Sequence, residues 1–364
     1  MLLYKDTETL SMFDVKPFQR KDTLDEFKLV YKELGSPADH YKVIHVTGTN
    51  GKGSFCKKTS KALELSGYKV GLYTSPHLVK FTERISINGE SISDYDQQRL
   101  DWIVQKAFQK HNVTLRRYFD SLTLVAYLYF KENKVDYAVI EGGCGMRYDP
   151  TNVIATSELG VITSVDIDHV KLLGNTTELI AENKSDLWRK GKPILIGPNC
   201  PQEHIKNYLK TQYDADESLM YFMPKSEDGI YDFNAENNKI VRQGFDILNR
   251  NGNVIDPSVI DRALKAKLRG RMEVMTDKIV YDGTHNPNGA EKTVKQFVED
   301  YTSDPNTDLH MVFASQMMVY VMEILTAMVD HPYFKRYSSL IITECKANYH
   351  IFGKWGIKCV SIDR

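Results

Sequence analysis

A single lysine set among glycines is the strongest chemical signal in the chain: Lys42-Val43-Ile44-His45-Val46-Thr47-Gly48-Thr49-Asn50-Gly51-Lys52-Gly53-Ser54. Val43, Ile44 and Val46 suit a buried strand. Gly48, Gly51 and Gly53 let the backbone turn tightly and bring its N–H groups up to an anion. Lys52 supplies a point charge for outer phosphates. Ser54 adds a hydroxyl at the start of the next helix, where the dipole also favours negative charge. The run departs from the G-x-x-x-x-G-K-[ST] spacing, because Gly53 separates Lys52 from Ser54. A glycine-rich turn with a solvated lysine is the plainer alternative, but the order of strand, glycines, lysine and hydroxyl favours a phosphate cradle.

Three further stretches end apolar runs in polar groups. Thr74-Ser75-Pro76-His77-Leu78 follows the run at 70–73, with Phe81-Thr82-Glu83-Arg84-Ile85 just beyond. Glu141-Gly142-Gly143-Cys144-Gly145 follows 137–140, and Asp166-Ile167-Asp168-His169 follows 160–165. A carboxylate at a strand tip before glycines suits magnesium, bound directly or through water. Alone, each has an ordinary reading: a polar turn at Pro76, a solvated Glu141, a hydrogen-bonded His169. Ligands of α/β sheets gather at the carboxyl ends of strands, so Ser75, Glu141 and His169 at three tips argue for one site. Asp282-Gly283-Thr284-His285-Asn286-Pro287, after a run at 278–281, sets Asp282 and His285 at another tip.

The elements that must position these groups follow from periodicity. A helix is expected over 22–34, with Thr23 and Glu26 as a capping box, Leu24, Phe27, Tyr31 and Leu34 on one face, and Gly35 and Pro37 as its stop. The cradle leads into a helix through Ala62 and Leu65 that ends at Gly67, then into the strand 70–73. That makes a β-α-β unit of about 30 residues, as a parallel crossover requires. Apolar spacing predicts sheet-covering helices over 96–110 and 119–130, and strands at 137–140, 160–165 and 193–196. The stretch 211–258 is polar and weakly patterned, and no element is assigned to it. A helix at 257–267 leads to Arg269-Gly270-Arg271-Met272-Glu273, the expected domain boundary. Beyond it lie a strand (278–281), a helix carrying Ala290, Val294, Phe297 and Val298, a strand (311–314), a helix (317–329) and a strand (340–343).

Composition bounds the remaining choices. The 364 residues suffice for about two domains, and 42% apolar with 26% charged residues is an ordinary globular balance. A net charge of −1 argues against a nucleic-acid or acidic-membrane partner. The cysteines, Cys56, Cys144, Cys200, Cys345 and Cys359, are never spaced C-x-x-C. They read as reduced thiols in a cytoplasmic protein. Asp6, Glu8 and Asp14 do not fit a signal or transit peptide, and no apolar run approaches the ~20 residues of a membrane span.

Thr47-Gly48-Thr49-Asn50-Gly51-Lys52-Gly53-Ser54, Ser75-Pro76-His77-Leu78 with Phe81-Thr82-Glu83-Arg84-Ile85, and Asp282-Gly283-Thr284-His285-Asn286-Pro287 resemble, in this order, the signatures of folylpolyglutamate synthases and dihydrofolate synthases, members of the Mur ligase superfamily. The resemblance implies a large N-terminal P-loop mononucleotide-binding domain with a mainly parallel sheet over 1–268. A smaller C-terminal Rossmann-like α/β domain would follow over 269–364, with a linker near 269–276. It implies an ATP-dependent, ADP-forming amide ligase: ATP phosphorylates a folate or dihydropteroate carboxylate, and the amine of L-glutamate attacks the acyl phosphate. Thr49, Asn50, Gly51, Lys52, Gly53, Ser54, Arg271 and Asp282 would bind ATP. Ser54, Ser75, Glu141 and His169 would hold one or two Mg2+, joined by Lys184 if it is carbamylated. Lys52, Lys184 and His285 would be catalytic, and Ser75, Pro76, His77 and Arg84 would face the folate. The implied partners are these small molecules alone, bound by a monomer, and a site drawn from two domains would close on ATP.

Two stretches depart from the family pattern. In place of Gly-x-His-Gln-x-x-Asn stands Tyr231-Asp232-Phe233-Asn234-Ala235-Glu236-Asn237, and a lysine-aspartate pair is replaced by Ser315-Gln316-Met317-Met318. The second domain is also shorter than the family norm. These departures keep open a catalytically reduced ATP-binding homologue, and a Mur-type ligase for another carboxylate is a further alternative.

Overall fold

The computed structural model describes residues 20–115, 117–225, 233–276, 279–284, 286–301, 309–315, 321–346 and 356–362. The chain divides into two compact units between Leu268 and Arg269.

The first unit opens with α1 (Arg20–Glu33), so Thr23 lies inside the helix and not at its cap. Burial of Phe27, Val30 and Tyr31, not a cap, fixes the helix. Then come β1 (Lys42–Thr47), α2 (Lys52–Leu65), β2 (Val70–Tyr73), β3 (Ile85–Ile87), β4 (Glu90–Ser91), α3 (Asp94–Lys110), α4 (Tyr118–Glu132), β5 (Tyr137–Glu141) and β6 (Leu159–Ser164). The unit continues through α5 (Val170–Leu173), α6 (Thr177–Ser185), β7 (Ile194–Asn199), α7 (Gln202–Tyr213), β8 (Met220–Phe222), α8 (Phe233–Arg250) and α9 (Ile260–Leu264). Its eight strands form one sheet in the order β4-β3-β2-β5-β1-β6-β7-β8. All neighbours from β2 to β8 run parallel, and β3 and β4 add an antiparallel edge.

Strand alternation sorts the core into layers. Val43, Tyr73, Ala138 and Ile140 pack on one face with residues of α1, α3 and α4. Ile44, Val46, Leu72 and Val139 pack on the other with Phe55, Ala62 and Leu63 of α2 and with Ile240, Val241, Phe245, Ile247 and Leu248 of α8. The second face contains the main departure from expectation. Residues 211–258 hold β8 and an 18-residue helix, and the helix expected over 257–267 is a short turn at Pro257–Val259 followed by α9. Asparagines of low helix propensity mask the pattern of α8, and tertiary burial of its apolar stripe overrides that propensity.

The second unit contains an antiparallel ribbon of β9 (Glu273–Thr276) and β10 (Ile279–Tyr281), then α10 (Pro287–Tyr301), β11 (Leu309–Ser315), α11 (Val321–Val329), β12 (Tyr337–Lys346) and β13 (Gly356–Ile362). β11 and β12 are parallel, and β13, unexpected from sequence, pairs antiparallel with β12. Val294, Val298, Leu309, Phe313, Ile324 and Met328 form its core. Residues 317–320 of the expected helix lie outside the described residues. Among the described residues no helix is long and apolar enough to cross a membrane.

Phe245, 1% exposed, fills the layer between α8 and the sheet. Phe245→Ala is expected to cost about 3–5 kcal/mol in urea unfolding; a loss below about 1 kcal/mol would show that α8 is not packed as described.

Candidate active site

The loop after β1 is clamped to the tip of β6. Thr49 N donates to Ser164 O (2.8 Å) and Asn50 N to Ser164 Oγ (3.0 Å), while Thr163 Oγ1 donates to Asn50 O (2.7 Å). Asp166 N donates to Thr49 Oγ1 (3.0 Å), tying in the next turn. Gly48 is required here: its φ is 151°, and a Cβ would lie 2.0 Å from Thr163 Oγ1. Gly51, at φ 87°, begins α2. Lys52 Nζ curls back onto Gly48 O (3.0 Å) and Thr49 O (3.2 Å), so the cation sits over the loop that its sequence motif predicts.

Strand register brings the other tips alongside. Tyr73 and His45 both pair with Ile140, and His45 with Gly160, so the loops after β2, β5, β1 and β6 leave the sheet at one level. Glu141, 3% exposed, accepts a hydrogen bond from Ser75 N on Oε2 (3.1 Å). The same oxygen lies 3.4 Å from where a Cβ on Gly53 would be. His169 stands on the tip after β6 in the left-handed region (φ 49°), its Nε2 3.8 Å from Asp168 Oδ2. Lys184 on α6 is 3% exposed, and among the described residues no hydrogen bond or ion pair holds its ammonium. Burial, and next the charge of Lys52, lower its pKa to about 8, with Cys144 and Asp168 opposing. Lys52, Lys184 and Asp168 therefore share one electrostatic neighbourhood.

Two anchors are not among the sequence-derived site residues, and a third, Asn237, closes the 231–237 stretch that departs from the family pattern. Asp149 Oδ2 takes Gly143 N and Cys144 N (3.0 Å each), and its Oδ1 takes Thr151 N (3.0 Å) and Oγ1 (2.6 Å). This fixes the glycine turn after Glu141; the Asp149-Pro150-Thr151 run is a readable capping signal. Asn183 Oδ1 takes Met146 N (2.9 Å) and Arg147 N (3.3 Å), tying the same turn to the helix of Lys184. Asn237 lies against the phosphate loop, its Oδ1 2.6 Å from where a Cβ on Gly51 would be, and its buried Nδ2 has no partner among the described residues. Its neighbours are engaged elsewhere: Asn234 and Asn238 accept from buried Lys58, and Glu236 accepts from Asn199. Tyr231 and Asp232 lie outside the described residues.

Beside Ser75, Arg84 Nε donates to His77 Nδ1 (2.9 Å), and Glu83 caps the intervening turn by accepting from Leu78 N, Val79 N and Lys80 N. Burial, and next the Arg84 charge, lower the His77 pKa to about 4. In the second unit, Asp282 accepts from Met272 N (2.9 Å) and Thr293 Oγ1 (3.2 Å), and Arg271 Nη1 donates to Gly283 O (3.2 Å). The first strand turn of this unit is thus fastened to the 269–272 stretch. His285 lies outside the described residues, as do residues 316–318.

Among the described residues no three His, Cys, Asp or Glu side chains form a ready-made metal cage. The donor that lies against the phosphate loop is instead a hard oxygen, the Glu141 carboxylate beside Gly53 and Ser75 N. A hard carboxylate oxygen there fits a magnesium ion that shares its coordination with phosphate and water.

A clamped phosphate loop at the centre of a parallel sheet, flanked by carboxylate and serine tips, defines a nucleotide-dependent α/β enzyme of the Mur ligase type. No family model matches the sequence. The folylpolyglutamate synthase of Lacticaseibacillus casei is 32% identical over 331 residues, covering 81% of this chain and 76% of that protein. A solved FPGS-AMPPCP-folate complex superposes with TM-score 0.75 at 27% identity, covering 86% of this chain and 84% of the other. A bifunctional folylpolyglutamate synthase/dihydrofolate synthase with Mn, AMPPNP and L-glutamate bound gives TM-score 0.72 at 25% identity, covering 85% and 77%. The chain belongs to the folylpolyglutamate synthase and dihydrofolate synthase family.

Gly48→Ala should weaken ATP binding at least tenfold by calorimetry, since a Cβ must displace Thr163; unchanged affinity would mean that the clamp is dispensable. The Lys184 shift also predicts a pH dependence. Folded Lys184 loses its proton near pH 8 and unfolded Lys184 near 10.4, so between them the unfolded state binds more protons and stability rises with pH. The penalty is full below pH 8. The metal-free protein should gain roughly 3 kcal/mol relative to Lys184→Met between these limits; parallel stability curves would contradict it.

Proposed function

We propose that this protein adds L-glutamate to a folate or dihydropteroate carboxylate at the expense of ATP, releasing ADP and phosphate. The observation that carries this reading is the junction of the clamped Lys52 loop with Glu141 and Ser75, which joins a triphosphate site to the Arg84 loop. The loop N–H groups and Lys52 hold the phosphates and offset charge as the γ-phosphoryl passes to the carboxylate oxygen. The resulting acyl phosphate is attacked at carbon by the glutamate amine, the amide forms as phosphate leaves, and the amine proton passes to solvent or a base. Ser54, Ser75, Glu141 and His169 would hold Mg2+, which neutralises phosphate charge when bound. The relative solved with Mn, AMPPNP and L-glutamate bound supports a nucleotide and a divalent metal here.

Lys184 is assigned the carbamate of the family. Its lowered pKa supports this, because only a neutral amine attacks CO2, giving a carbamate and a proton. Arg271 and Asp282 are assigned to nucleotide and His285 to the catalytic machinery, on their match to the family motif.

ADP release measured with dihydropteroate, tetrahydrofolate and a diglutamyl folate tests this. Glutamate-dependent turnover is expected with at least one of these acceptors, the fastest identifying the preferred one, and is expected to be abolished in a still-folded Lys52→Ala protein. ATP binding without turnover on any acceptor would instead identify a catalytically reduced homologue.

A further inference from the structure

Arg84 ends the short turn Phe81–Arg84, and its guanidinium is half-buried. Burial pulls its pKa below the usual range, with Tyr73, Tyr118 and Glu141 opposing. Among the described residues it makes one hydrogen bond, Nε to His77 Nδ1, and no ion pair, so Nη1 and Nη2 have no protein acceptor. A desolvated guanidinium without a carboxylate is costly unless a ligand completes it. The His77 ring is gripped: it packs on Phe81 at 4.3 Å between centroids, and Phe81 packs on Tyr118 at 4.9 Å. The Tyr118 hydroxyl in turn accepts from Gln97 Nε2 (2.7 Å).

A guanidinium can present a carboxylate with two forks, one along Nε and Nη, the other across the two Nη atoms. His77 occupies Nε and so closes the first. We propose that His77 is a positioning residue that aims Arg84 end-on, through Nη1 and Nη2, at a substrate carboxylate. This rests on the folate-side reading of Arg84. The carboxylate belongs either to the pteroyl acceptor or to the incoming glutamate, and the two share this chemistry.

The test is steady-state kinetics on the full-length chain, with KM measured separately for ATP, acceptor and glutamate. His77→Phe keeps the ring on Phe81 and removes the nitrogen acceptor. It should raise the KM of one carboxylate substrate at least tenfold while ATP KM stays within twofold, and the substrate affected identifies the source. His77→Asn, whose Oδ1 overlays Nδ1, should restore most of the loss. In an Arg84→Ala background, His77→Phe should add nothing. Should His77→Phe not fold, His77→Leu carries the same measurement. A twofold or smaller effect of His77→Phe where Arg84→Ala raises KM, or full additivity in the double variant, overturns the positioning role alone. No change of either carboxylate KM in Arg84→Ala overturns the folate-side reading of Arg84 as well.

Discussion

The site depends on a backbone constraint: the amides of the loop after β1 must stay open to an anion, yet the loop must not move. The tip of β6 resolves this conflict. Ser164 and Thr163 take or give hydrogen bonds at Thr49 and Asn50, consuming the loop's inward polar groups. The N-terminus of α2 follows at Lys52, where the helix dipole favours phosphate. Gly48 allows the approach, because any side chain there would occupy the volume of the Thr163 hydroxyl. Binding thus draws on geometry already set during folding, which limits the ordering cost of the complex.

Charge is arranged on the same principle. Arg84 feels the charge of the deeply buried Glu141, and buried Lys184 that of Lys52, in a chain whose net charge is −1. A local excess of cations in a low-dielectric setting is costly without a ligand and attractive to a polyanion. The lowered pKa of Lys184 expresses that cost, through burial first and the charge of Lys52 next, while that of Arg84 expresses burial alone.

The tips are held in register by buried polar anchors away from the reacting groups. Asp149 saturates both oxygens on the turn after Glu141, and Thr151 links it to buried His45 (2.9 Å). Asp186 receives Arg147 Nε (2.5 Å) and the hydroxyls of Tyr208 and Tyr213 (2.7 Å each), bracing the other end of that turn. Networks of this kind fix one arrangement because a half-satisfied alternative leaves a buried polar group unpaired.

Sequence by itself determined the phosphate loop, the strand tips at Ser75, Glu141 and His169, and most elements of the first unit. These features are local: glycine spacing and alternating apolar residues act within one or two turns of chain. It did not disclose α8, whose asparagines conceal a stripe that becomes apolar only against α2 and the sheet, nor β13, whose pairing with β12 is a long-range choice. Asp149, Asn183 and Asn237 read as ordinary polar loop or helix residues until the fold seals them against glycine backbones. The same holds for Lys184 and for the His77–Arg84 pair. A lysine's lowered pKa and a guanidinium's unfilled fork come from the exclusion of water, and only tertiary packing decides where water is excluded.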